Sequence, residues 1–246
     1  MNDFTQSFAL DYAGARTKFR ATASELGCAL SDRHPTATGP DGRGLFIDVA
    51  RLGDIKASSQ LVVVSGTHGL EGLSGSAAQI GWMKSGFAGG LPRNVSVLLV
   101  HALNPFGFAH GTRTTENNVD LNRNFIDHAA PYPTNAGYAE LYPNLLPDDW
   151  TPSALAAYAD AVAAFRGAHG PDVLFDVQAR GQYDFPLGTN FGGSQRQSLL
   201  TKLPARRFSL PRWCTKPGCV SLAIRIPHSR IARISFAPQL KPCVAF

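Results

Sequence analysis

QLVVVSGTHGLEGLSGSAAQIGWMK, residues 60–84, decides how the fold is read. Gln60 to Val64 is a short apolar run of strand length that stops at Ser65-Gly66, a pattern that reads as a buried strand. Beyond it, Ser74 and Ser76 offer N-cap oxygens for a helix from Ala77 to Lys84, which would turn Ala77, Ile80 and Trp82 or Met83 toward a core. Working outward, GLFIDV (Gly44 to Val49) alternates enough to be a strand, and Val95 to His101 reads as a third, cut by the turn pair Asn104-Pro105. Thr151-Pro152 gives an N-cap with proline at the first helical position, opening a helix that runs to Gly167 or Gly170. Strands alternating with helices predict an α/β fold with a mixed, largely parallel sheet and helices on both faces. Such sheets bind ligands just past the carboxyl ends of their strands.

That rule directs attention to the residues after Val64. His68-Gly-Leu-Glu71 places an imidazole and a carboxylate, both good zinc ligands, three residues apart on a glycine-rich turn. The next strand end leads into HALNPFGFAHGTRTTENNVDLNRNF, His101 to Phe125. Arg113 and Arg123 are permanently charged forks suited to a substrate carboxylate or a developing oxyanion, and Asn122 adds a neutral donor. The competing reading pairs these arginines with Glu116 and Asp120 in a surface network. Asn117 and Asn118 read as turn residues.

Composition excludes several classes. Of 246 residues 44% are hydrophobic and 17% charged, as in globular domains, and no apolar run approaches the roughly 20 residues of a membrane span. The start carries Asp3 and Asp11 where an export signal needs positive charge and a long apolar stretch, so a cytoplasmic chain is expected. Four cysteines do not make a disulfide scaffold in a chain of this length.

Charge is unevenly spread. Residues 194–246 hold ten Lys and Arg and no Asp or Glu, whereas residues 1–193 carry a net −5. Gly218 is the only one of 24 glycines after Gly193, and three of the four cysteines (Cys214, Cys219, Cys243) fall in this tail. Two units are therefore expected, a catalytic-type domain over 1–193 and a basic tail over 194–246. A nucleic-acid arm is disfavoured, because Phe208, Trp213 and Phe236 do not interleave regularly with the charges. A folded basic subdomain would use VSLAIRI, Val220 to Ile226, as a strand. The reading favoured is a change of reading frame near Gly193, which would remove acids and glycine this abruptly.

SGTHGLEGLSGSAAQ, HALNPFGFA, the Arg113 segment and NNVDLNRNF together resemble the zinc carboxypeptidase superfamily, including its aspartoacylase and succinylglutamate desuccinylase branch. GQYDFPLGTNFGG, Gly181 to Gly193, is similar to a bacterial carboxypeptidase-like branch. The resemblance covers about residues 1–193, and it implies a zinc-dependent hydrolase that cleaves an amide bond next to a substrate carboxylate. It further implies His68 and Glu71 as the first two zinc ligands, Asn122 and Arg123 as the grip on a terminal carboxylate, and Arg113 as the group polarising the scissile carbonyl. The partner would be a peptide or small molecule with a free carboxylate, with neither nucleic acid nor membrane involved.

The chain departs from that pattern at its end. The family's third zinc ligand, a histidine in a D-x-H-T-G-like setting, and its catalytic glutamate are not recognisable. His228 stands at a tolerable distance in foreign surroundings, and no acidic residue follows Asp184. Truncated or impaired hydrolysis is therefore expected, with a non-catalytic carboxylate-binding protein as the alternative. A serine hydrolase around Gly72-Leu-Ser74-Gly-Ser76 is a weaker one, since G-x-S-x-G needs glycine where Ser76 stands.

Overall fold

A computed structural model describes residues 4–33, 37–147, 149–197 and 221–225. The central element is β4 (Val95–His101), buried along nearly its whole length. Its side chains alternate between two cores. Val97 and Leu99 face one side with Ala50, Phe19, Ala23, Ile80 and Met83. Leu98 and Val100 face the other with Ile47, Val62, Leu103 and Leu121. A strand covered on both faces has no solvent side to mark with polar residues, which is why VSVLLVH is almost continuously apolar.

Around it the sheet runs β1-β2-β4-β3-β5, with β1 at Ala29–Arg33, β2 at Ile47–Leu52, β3 at Ser59–Val64 and β5 at Ser221–Arg225. The mixed α/β class expected from the sequence is the one adopted. Its parallel part is the pair β3 and β4, whereas β1 with β2, β2 with β4 and β3 with β5 are antiparallel. The expected predominance of parallel strands thus narrows to one pair. Parallel neighbours need a crossover long enough to return the chain, usually a helix. The helix α2 (Gly72–Lys84) between β3 and β4 is the crossover that meets this need.

The helix α1 (Tyr12–Glu25) lies beside α2 on the Val97 and Leu99 face. Across the sheet, Leu103, Leu121 and half-buried Phe125, from the chain after β4, close the second core. Three further helices, α4 (Ala136–Leu145), α5 (Pro152–His169) and α6 (Pro171–Arg180), pack on one another around Tyr138, Leu141, Phe165 and Val177.

Local chemistry accounts for most boundaries. Thr151 caps α5 as its sequence predicts, its hydroxyl accepting from the Ala154 N–H at 3.2 Å, with Pro152 in the first turn. Asn104-Pro105 proves to be a helix start, because the Asn104 carboxamide accepts from the Gly107 N–H at 2.9 Å and opens the short α3 (Pro105–His110). Helix α2 begins earlier than its serines suggest. Glu71 occupies the N-cap position without a side-chain bond, and Ser76 turns inward instead. Within the segment that the folded-subdomain reading made a strand, Ser221–Arg225 forms β5.

Helix α1 is fastened to β2 by charge. Arg16 donates to both oxygens of the fully buried Asp48, at 2.7 and 3.1 Å, the bidentate geometry that makes such pairs strong. Beside Asp48, on β4, buried His101 stacks on Phe19 with ring centroids 4.4 Å apart and shares a 2.9 Å hydrogen bond with Ser76. Burial lowers the His101 pKa from 6.5 to about 4, against the pull of Asp48 and with the push of Arg16. The folded chain therefore refuses a proton that the unfolded chain accepts. Unfolding free energy should be level above about pH 6.5 and fall by up to about 3 kcal/mol as the pH drops toward 4. Urea titrations at stepped pH check this, and His101→Asn should flatten the acid limb.

Candidate active site

The site begins where β3 ends. Pairing with β4 continues past the strand, since the Ser65 N–H donates to Val100, the Leu103 N–H to Ser65 and the Asn104 N–H to Gly66, all at 2.8–2.9 Å. The turn then crosses α3 so closely that a Cβ on Gly69 would lie 1.8 Å from the Gly107 carbonyl oxygen. Only glycine fits there, and the Gly69 N–H is anchored to Thr112 at 3.0 Å. This turn delivers His68 to the end of the sheet with Glu71 one helical step beyond.

Asp120 sits at the centre of the site. It is fully buried, and its Oδ1 lies 3.1 Å from His68 Nε2 and accepts the Asn122 backbone N–H at 2.9 Å. Its Oδ2 accepts from Arg113 Nε at 2.9 Å. Burial by itself would raise the Asp120 pKa. The His68 hydrogen bond and the charges of Arg113, His68 and Arg123 outweigh it and hold the carboxyl down to about 2. Asp120 is therefore an ionised, acceptor-only group.

That fixes the imidazole. An acceptor-only partner at Nε2 requires a proton there, so a His68 acting as a metal ligand would do so through the lone pair of Nδ1. Nδ1 stands 3.6 Å from Glu71 Oε2, too far for a hydrogen bond. Two atoms bound to one tetrahedral zinc are separated by roughly 3.3–3.6 Å, given bonds of about 2.0–2.2 Å. The pair therefore has the spacing of two ligands, and the Asp120 contact is the kind of support that orients a metal-bound histidine.

All five residues singled out in the sequence converge here. His68, Arg113 and the Asn122 backbone N–H contact Asp120 directly, Glu71 stands 3.6 Å from His68 on its other side, and Arg123 is close enough for its charge to act on that carboxylate. Arg123 Nε is buried and has no hydrogen-bond partner among the described residues. The reading that paired Asp120 with an arginine is partly realised, since Asp120 does bind Arg113. Its contact with His68 went unread, although the two-residue step from Asp120 to Asn122 was visible in NNVDLNRNF. Asn118 adopts a left-handed φ of 57° and donates its N–H to Thr115, as a turn residue does.

The third ligand has no counterpart among the described residues. Among the described residues no three His, Cys, Asp or Glu side chains are grouped to hold a metal. His228 lies outside the described residues. Ser76, which stands where the serine-hydrolase motif needs glycine, is 1% exposed and hydrogen-bonds to the buried His101 in the core, whereas Ser74, the nucleophile of that alternative, is exposed on α2. Among the described residues no helix is long and apolar enough to cross a membrane.

Residues 8–204 match the family described as "Protein of unknown function (DUF2817)". The match covers most of the sequence, and the chain belongs to that family. No curated protein is significantly similar to it. Solved structures similar to part of the chain include the glutaminyl cyclase of Porphyromonas gingivalis, at 11% identity and a TM-score of 0.25, over 60% of this chain and 56% of that one. The aligned part thus spans little more than half the cyclase, and a TM-score this low does not establish a shared fold.

The buried and exposed carboxylates should respond differently to neutralisation. Asp120→Asn leaves Arg113 and His68 without their ionic partner and should cost about 3 kcal/mol of stability. Glu71→Gln alters a side chain that is 45% exposed and should cost less than about 1 kcal/mol. Paired urea denaturation curves measure both, and equal losses would remove Asp120 from the centre of the site.

Proposed function

We propose that this chain carries the first two metal ligands and the carboxylate grip of a zinc carboxypeptidase-type hydrolase, acting on a peptide or small molecule with a free carboxylate. The observation that carries this reading is the His68 Nδ1 and Glu71 Oε2 pair at 3.6 Å, with His68 Nε2 held by Asp120. The donor chemistry fits zinc, and the residues that would hold it are His68 and Glu71. When bound, zinc supplies Lewis acidity at a carbonyl and lowers the pKa of a bound water toward about 7.

The protein's own groups have separable tasks. Asp120 keeps His68 in the tautomer that offers Nδ1 and directs Arg113 through its Nε. Arg113 retains its terminal nitrogens for a carbonyl oxygen that gains negative charge. Asn122 and Arg123, on the same turn, would hold the substrate's terminal carboxylate and so place the neighbouring amide beside the ligand pair. A proton acceptor of the family kind is not offered by any described residue in this arrangement.

The donor count also supports a second reading, a carboxylate-binding protein that does not turn substrate over. Catalytic zinc normally has three protein ligands, and this reading names two, His68 and Glu71. Turnover of N-acyl amino acids or peptides, assayed with and without chelator, separates the readings: chelator-sensitive turnover supports hydrolysis, and carboxylate binding without turnover supports the second.

Two measurements test the common ground. His68→Ala should lower the zinc retained per chain after dialysis, and an unchanged stoichiometry would remove the ligand assignment. Arg123→Ala should weaken binding of a ligand with a free carboxylate by about 2 kcal/mol in calorimetry, with equal affinity pointing to a purely structural arginine.

A further inference from the structure

The turn bearing Asn122 and Arg123 is held from behind by the segment Gly181–Gln197. The Asp120 N–H donates to Phe191 at 2.8 Å, and Asn124 donates to Gly192 at 2.7 Å and to Gln195 at 2.9 Å. Asn124 also accepts the Gln197 N–H at 2.8 Å. These bonds fix the turn as a whole. Arg123 receives a more particular treatment.

Both backbone polar groups of Arg123 are committed. Its N–H donates to Asp120 at 3.0 Å, and its carbonyl accepts the Tyr183 hydroxyl at 2.7 Å. Its side chain then runs across the bare Cα of Gly181, where a Cβ would stand 2.7 Å from Cδ, 2.9 Å from Cγ and 3.2 Å from Nε. Gly181 has a φ of +83° and is itself tied through its carbonyl to Asn135 at 2.8 Å. At the end of this channel lies the buried Nε with no partner among the described residues. A buried charged donor left without an acceptor is costly, so the arrangement is that of a grip waiting for an anion.

Tyr183 is held just as firmly. Its ring lies parallel to Tyr132, with centroids 5.2 Å apart and planes 7° from parallel. A Cβ on Gly192 would fall 2.1 Å from its ring, so the backbone of Gly192 is pressed against that face. Burial pushes the phenol above its ordinary range, which keeps its proton available for donation to Arg123.

We propose that Tyr183 and Gly181 are positioning residues that aim the Arg123 guanidinium at a ligand carboxylate, Tyr183 by fixing the Arg123 carbonyl and Gly181 by leaving room for its side chain. This rests on the reading of Arg123 as the carboxylate grip, and the experiment keeps the two apart. The ratio of affinities for N-acetylglycine and N-acetylglycinamide is measured by calorimetry on the 246-residue chain and on Arg123→Ala, Tyr183→Phe and Gly181→Ala. These probes differ only in carboxylate against carboxamide. Any loss of folded protein lowers both affinities together, so the ratio reports aim and not stability.

The unaltered chain should favour the acid, and Arg123→Ala should abolish the preference. Tyr183→Phe, which keeps the ring and removes the hydroxyl, should reduce it roughly fivefold, and Gly181→Ala should reduce it by at least as much, given what one hydrogen bond is worth. If Arg123→Ala abolishes the preference while Tyr183→Phe and Gly181→Ala leave it intact, the positioning role is overturned and the carboxylate grip stands. If the unaltered chain shows no preference, or Arg123→Ala leaves it unchanged, the grip is overturned and the positioning role with it. Should one positioning variant fail to fold, the other carries the same comparison.

Discussion

A single buried carboxylate organises this protein's candidate site. Asp120 is fully buried and touches a histidine from the end of β3, an arginine from the loop after α3 and a backbone amide of its own turn. Ionisation at that depth is tolerable only because every oxygen is engaged by a donor or a positive charge. The same constraint makes the site specific. A carboxylate that must stay charged sets the proton on His68, and that proton decides which nitrogen looks outward.

The rest of the architecture serves to bring those donors to one place. Strand β4 is covered on both faces and gives the sheet a rigid middle, while the β3–α2–β4 crossover puts the ends of two strands side by side. Ladder bonds that continue to Leu103 and Asn104 carry the order of the sheet into the loops. Gly69 allows the His68 turn to lie against α3 with no side chain between. Rigidity at this level matters, because a constellation of functional side chains tolerates little error in spacing.

How much could be read in the sequence depends on how local each signal is. Strand β4 was legible to the residue and β3 to within one, because apolar runs bounded by turns are local patterns. The start of α5 was equally plain, since Thr151 and Pro152 act within one helical turn. Strand β2 lies three residues beyond the expected GLFIDV start, because Tyr12, 34 positions away, bonds both backbone groups of Phe46 and holds that stretch out of the ladder. Helix α2 starts before its serines, as Ser76 is drawn into the core by His101. The five site residues were visible as two motifs, yet their common partner Asp120 and the supporting Tyr183 depend on contacts 52 and 60 residues apart. No window of sequence shows such contacts directly.

The clamp behind Arg123 also orders events in time. His68, Glu71, Arg113 and Asp120 are all encoded in the first half of the chain. The turn at the carboxylate end is fastened by Tyr183, Gly192, Gln195 and Gln197, some 60 to 73 positions further on. During synthesis from the amino terminus, the site therefore matures only after the closure of a long loop whose entropic cost precedes any reward. A nascent chain would pass through a stage in which His68, Glu71 and Asp120 are already made while the turn from Asp120 to Asn124 still lacks the bonds to Phe191, Gly192 and Gln195 that fasten it.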